Sequence, residues 1–148
     1  MDKNNPVIAL VALGMEIERK KNVKRAQELF MQAWHQSSTE QEKCIAAHFV
    51  ARHQNTPEEA LKWNLESLQR ADKVHNEEIK GYYPSLYLNI GASYETLGDK
   101  AEAGKYYNLA FERIPDLPRD EENVEYSRGT EKVIVEKRAQ ILGMVTTG

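Results

Sequence analysis

The stretch Tyr87–Pro115, YLNIGASYETLGDKAEAGKYYNLAFERIP, reads as two short helices folded back on one another. In its first half, Ile90 and Tyr94 stand one helical turn apart and so face the same neighbour. Gly91, beside Ile90, is a small site at which a second helix can approach closely. In its second half, Ala103 is the matching small site, and Tyr107 and Ala110 follow on the same face at helical spacing. Gly98 is expected to end the first helix in a left-handed cap. Asp99 is expected to cap the second, with Glu102 three residues on completing a capping box. Pro115 closes the unit.

The pattern Tyr87-x2-Ile90-Gly91-x2-Tyr94, then Ala103-x3-Tyr107, Ala110 and Pro115, resembles the tetratricopeptide repeat. That repeat is a helix–turn–helix unit of about 34 residues with the pattern W-x2-L-G-x2-Y…A-x3-F…P. The departures are conservative: Tyr for Trp, Ile for Leu, Tyr for Phe.

The same phase runs back to the start of the chain. Gly14, Ala26, Phe30 and Ala33 repeat the offsets of Gly91, Ala103, Tyr107 and Ala110, and Asn22 stands where Asp99 stands. This gives a first repeat at about 7–40, with helices near 6–20 and 23–36. A second repeat, at about 41–83, keeps the phase through Thr56 and Ala60. Thr56-Pro57-x-Glu59 is a strong helix start: a capping threonine, a proline at the first helical site and a glutamate at the third. Its first helix, near 40–54, is expected to bury Cys44, Ala47 and Ala51. Two residues depart from the pattern. His48 stands at the glycine site, which argues against close packing of this pair, and Asn64 stands at the aromatic site. The third repeat, at about 84–117, follows an insertion between Ala71 and Tyr83, read as an extension of the preceding helix to about Val74 and then a loop at His75–Tyr82. Pro84 restarts a helix.

After Pro115, a capping helix is expected over about 123–142, with Val124, Val133, Ile134, Ile141 and Leu142 as apolar contacts. Gly129 weakens it, Gly143 ends it, and Val145–Gly148 are expected to fray. The expected fold is all-α, one domain over 1–148, with seven helices. The resemblance implies their stacking as a right-handed α-α superhelix.

Composition narrows the function. The 148 residues carry a formal net charge of -3, with 41% hydrophobic and 29% charged residues, as in a globular chain. That charge offers no overall attraction to nucleic acid or to an anionic membrane. One cysteine allows no internal disulfide and fits a reducing, cytoplasmic setting. The apolar run Val7–Met15 has the length of a signal-peptide core, but Asp2 spoils the basic leader and no small-residue cleavage site follows.

No pattern of catalysis emerges, and neither an enzyme, a cofactor nor a metal site is expected. There is no phosphate-binding glycine loop, nucleophile elbow or paired-cysteine motif. Cys44 and His48 share a helix face, but no further metal ligands stand nearby. His35, His48, His53 and His75 lack a carboxylate at general-base spacing. Arg19-Lys20-Lys21 and Lys24-Arg25 form a basic cluster at a turn, a solvated turn or an anion contact. Trp34 shares its offset with Leu68 and Phe111, as inter-repeat packing would require.

The resemblance implies a partner-binding concave face lined by first helices. Its sites fall on Ile8, Val11, Met15 and Glu18; on Glu42, Ile45, Phe49 and Arg52; and on Ser85, Leu88, Ala92 and Glu95. The lining is apolar, with Glu18, Arg52 and Glu95 at its edge. It lacks the Lys, Arg and Asn set with which some family members clamp the acidic tails of heat-shock chaperones. The expected function is a protein-binding adaptor that takes an apolar peptide or an amphipathic helix. The alternatives are a homodimer interface on the same face, or cover by the chain's own last helix.

Overall fold

A computed structural model describes residues 2–143. Val145–Gly148, expected to fray, lie outside the described residues. Every regular element among the described residues is helical. The chain divides into two compact units, Met1–Val74 and His75–Gly148.

The first unit holds α1 (Pro6–Arg19), α2 (Val23–Gln36), α3 (Glu40–Val50) and α4 (Pro57–Ala71), with a 3-10 turn at Ala51–His53 after α3. Each helix starts where a side chain accepts its first free amides. Asn5 takes those of Val7 and Ile8, Asn22 that of Arg25, Thr39 that of Glu42 and Thr56 that of Glu59. At α3 the capping box is complete, because Glu42 also accepts from the Thr39 amide. The same carboxylate accepts from the Asn5 side chain at 2.8 Å, which ties the start of α1 to the start of α3. The Asn5 bond leads the effects that hold the Glu42 carboxyl below its usual range.

Helix α1 pairs with α2 and α3 with α4, and α3 also packs on α1 and α2. Val11, Ala26, Phe30, Ala33, Cys44, Ile45 and Ala47 are fully buried. Gly14 sits against the Phe30 ring so closely that a Cβ there would lie 2.5 Å from a ring carbon. The second pair solves the same contact differently. His48 and Asn64 replace the glycine and the aromatic, and both are buried. His48 therefore does not keep α3 from α4: the smaller Asn64 stands where an aromatic ring would need the space. Nearby, the Ser67 hydroxyl donates to the Cys44 carbonyl at 2.7 Å and lies 3.6 Å from its sulfur.

The second unit holds α5 (Glu77–Lys80), α6 (Tyr83–Thr96), α7 (Lys100–Glu112), a 3-10 turn at Ile114–Asp116, and α8 (Val124–Ile141). The seven expected helices are present, joined by the single-turn α5 within the segment expected to be a loop. Helix α4 ends at Ala71 rather than near Val74, because the Lys73 and Val74 amides bond back only three residues, to Arg70 and Ala71. Asn76 then caps a new start by accepting the Ile79 amide at 2.9 Å, and Ile79 is fully buried.

Gly98 ends α6 at φ 88°, as expected, and Asp99 accepts the Glu102 amide at 3.1 Å. Gly91 faces the Tyr107 ring, where a Cβ would lie 2.7 Å from ring carbons. Helix α8 packs on α7 through the fully buried Ile134 and through Arg138. Arg138 donates to Asn108 at 2.7 Å and lies 4.2 Å from the Phe111 ring centre. Val133, expected as an apolar contact, is exposed; Leu142 is exposed too, yet its side chain and that of Ile141 lie alongside Gly104 of α7, 4.0 and 3.9 Å from where a Cβ there would stand.

Candidate partner-binding face

The first helices of the pairs carry the residues expected to meet a partner, and burial divides them. In the first unit, Ile8, Val11, Ile45 and Phe49 are buried where α1 and α3 pack, and Met15 is half-buried. The Phe49 ring lies 5.4 Å from Phe30 and 5.2 Å from His48, centre to centre, and the Arg52 guanidinium sits 5.4 Å from it. The four buried side chains thus form a floor, with Met15 the apolar side chain of this row that keeps access to solvent. Glu42 is occupied by its capping box and by Asn5.

The edge is better organised than sequence spacing suggests. The Glu18 carboxylate pairs with Arg52 at 2.9 Å and also meets the His53 ring. Gln27 of α2 donates to the His53 carbonyl at 2.6 Å. One carboxylate on α1 therefore holds two residues of the turn that follows α3. His53 had no assigned part in the sequence reading, because its partner lies 35 residues away.

In the second unit, Leu88 and Ala92 are half-buried on α6 between two polar groups. At one end, the Ser85 hydroxyl lies 2.9 Å from the Tyr126 hydroxyl of α8. At the other, Glu95 accepts from the Tyr107 hydroxyl at 2.6 Å and lies 3.6 Å from the Lys137 ammonium. The two ends of α6 thus meet the corresponding ends of α8, so the helices run parallel. Burial, then Glu95, pushes the Tyr107 phenol upward, which keeps it a donor. Tyr126 and Lys137 escaped the sequence reading, which treated α8 only as an apolar cap.

The buried Cys44 belongs to no site. Burial pushes the Cys44 thiol up to about 11, so it stays protonated and unreactive at neutral pH. Among the described residues, no group of three or more His, Cys, Asp or Glu is placed to hold a metal ion. No helix of the described residues is long and apolar enough to cross a membrane.

Short helix pairs, two of them locked by a glycine against an aromatic ring, define a helical-repeat fold. Residues 84–117 match the family model for the Tetratricopeptide repeat, and this segment, which contains α6 and α7, is a repeat of that family. The match suggests a protein–protein interaction module. No curated protein matches the chain.

Proposed function

We propose that the protein is a non-enzymatic binding module that receives an apolar peptide or an amphipathic helix on its first-helix faces. Support comes chiefly from α6, the first helix of the repeat, where Leu88 and Ala92 lie half-buried between polar groups. Leu88 and Ala92, one helical turn apart, suit a partner's apolar side chains; the flanking Ser85 and Glu95 are engaged by Tyr126 and Lys137 of α8, so in this reading the partner meets α6 beside that helix. Met15 offers an adaptable contact on α1. Ile8, Val11, Ile45 and Phe49 act beneath the surface in this reading and set the position of the helices that carry the contacts. Glu18 and Glu95 are themselves anionic and Arg52 is paired with Glu18, so in this reading they frame the faces and do not clamp a carboxylate.

The reading is tested by selecting peptides from a displayed random library. Wild type is expected to enrich a family with apolar residues three or four apart. Met15→Glu is expected to weaken peptides selected on the first unit, and Ala92→Arg those selected on the second, about tenfold or more each while helicity is kept. Equal binding by both variants removes these faces from the function. Sedimentation over a range of concentration separates peptide binding from self-association through the same residues: a monomer throughout excludes the homodimer.

A further inference from the structure

The turn between α1 and α2 is cationic in a chain of the opposite net sign. Arg19, Lys20, Lys21, Lys24 and Arg25 place five cations within seven residues, against a formal net charge of -3 for the whole chain. All five are exposed. The two arginines are engaged along their own helices, Arg19 with Glu16 and Arg25 with Glu28. The three lysines enter no ion pair among the described residues.

The backbone adds a separate observation. Lys21 has φ 69°, the one positive value outside glycine among the described residues. In the repeat at 84–117, the same position after the first helix is Gly98, at φ 88°. The left-handed region penalises any residue with a Cβ, so glycine is what this turn favours locally. A lysine holds the position against that preference, and it does so in the middle of the cluster.

We propose that this basic turn is a docking surface for an acidic polypeptide segment, whose carboxylates meet Lys20, Lys21 and Lys24. Charge complementarity carries the choice of partner. Lysine ammonium groups on flexible stems suit carboxylates of variable spacing. Single-stranded nucleic acid binds through stacking on aromatic rings, and residues 19–25 contain none. Polybasic membrane segments adjoin a membrane-spanning or membrane-lying helix; no helix of the described residues is long and apolar enough to cross a membrane, and vesicle binding is an outcome of the test below. This surface lies at the end of the helices and does not depend on the peptide-binding reading of α1 and α6.

The test measures binding of a short labelled oligoglutamate peptide to the full chain by fluorescence anisotropy at low salt. Lys20→Ala with Lys24→Ala is expected to weaken binding about tenfold, and salt raised from about 50 to about 500 mM to do the same. Lys21→Gly is the decisive variant. It is expected to weaken binding while leaving the thermal midpoint unchanged or higher, since it relieves the left-handed lysine. A control pair, Lys100→Ala with Lys105→Ala, removes equal charge from α7 and is expected to leave binding as in wild type. Three results overturn the proposal: no oligoglutamate binding, equal loss in the control pair, or binding only to a single-stranded oligonucleotide or to phosphatidylserine vesicles.

Discussion

Acidification from pH 7 to about 4.5 is expected to remove about 2–3 kcal/mol of the stability of the first unit, and His48→Leu to abolish that dependence. Burial, with a smaller contribution from Arg52, holds the His48 imidazole at about 4, against an ordinary 6.5. The folded protein therefore keeps this ring neutral while the unfolded chain takes up a proton near 6.5. Stability from this source is full above 6.5 and falls as the pH drops towards 4. The Glu40 and Glu42 carboxyls, held below their ordinary 4.5, add their losses at lower pH, so the window above 4.5 isolates His48. Both tryptophans, Trp34 and Trp63, lie in this unit and meet edge to face at 5.1 Å. Urea unfolding followed by tryptophan emission thus reads the unit directly. A midpoint that does not move between pH 7 and 4.5 refutes the expectation, as does an equal shift in the leucine variant.

The second large effect is steric. Gly91→Val is expected to cost the second unit about 2–4 kcal/mol, although valine forms helix more readily than glycine. A Cβ at this site meets the Tyr107 ring at 2.7 Å and the Ala103 carbonyl oxygen at 3.3 Å. Tyr107 cannot swing aside freely, since it is fully buried and its hydroxyl is bound to Glu95. Adding Tyr107→Leu, which clears the ring, is expected to make the double variant more stable than the sum of the two losses by about 1 kcal/mol or more. Simple additivity, read from thermal unfolding by circular dichroism, means that the ring is not the obstacle.

What was legible in the sequence follows from what is local. The glycine-to-alanine spacing that relates Gly14 with Ala26 to Gly91 with Ala103 marks two helix pairs, because each contact joins residues near in sequence. Caps were legible for the same reason: Asn22, Thr56 and Asp99 all accept the amides expected of them. Asn76 was missed although its signal is of the same kind, since one helical turn leaves no periodicity to support it. At His48 and Asn64 the pattern broke in two places at once. Taken singly, each change reads as a defect; taken as a pair, they exchange one large side chain for another. The candidate face was read least well. Periodicity shows which residues share a helix face, but not how tightly a second helix covers that face. Ile8, Val11, Ile45 and Phe49 are buried for that reason, and the pairings of Glu18 with His53, Ser85 with Tyr126 and Glu95 with Lys137 span too much sequence to leave a local trace.

The bond from Ser67 to the Cys44 carbonyl has a practical side. Cys44 is the sole cysteine of the sequence and has no accessible surface between α3 and α4. A thiol-reactive dye added to native protein can modify it only when those two helices part. The protein thus carries its own clock for that opening, with no introduced cysteine. Reaction should be slow at neutral pH and should quicken when Ser67→Ala removes the clasp.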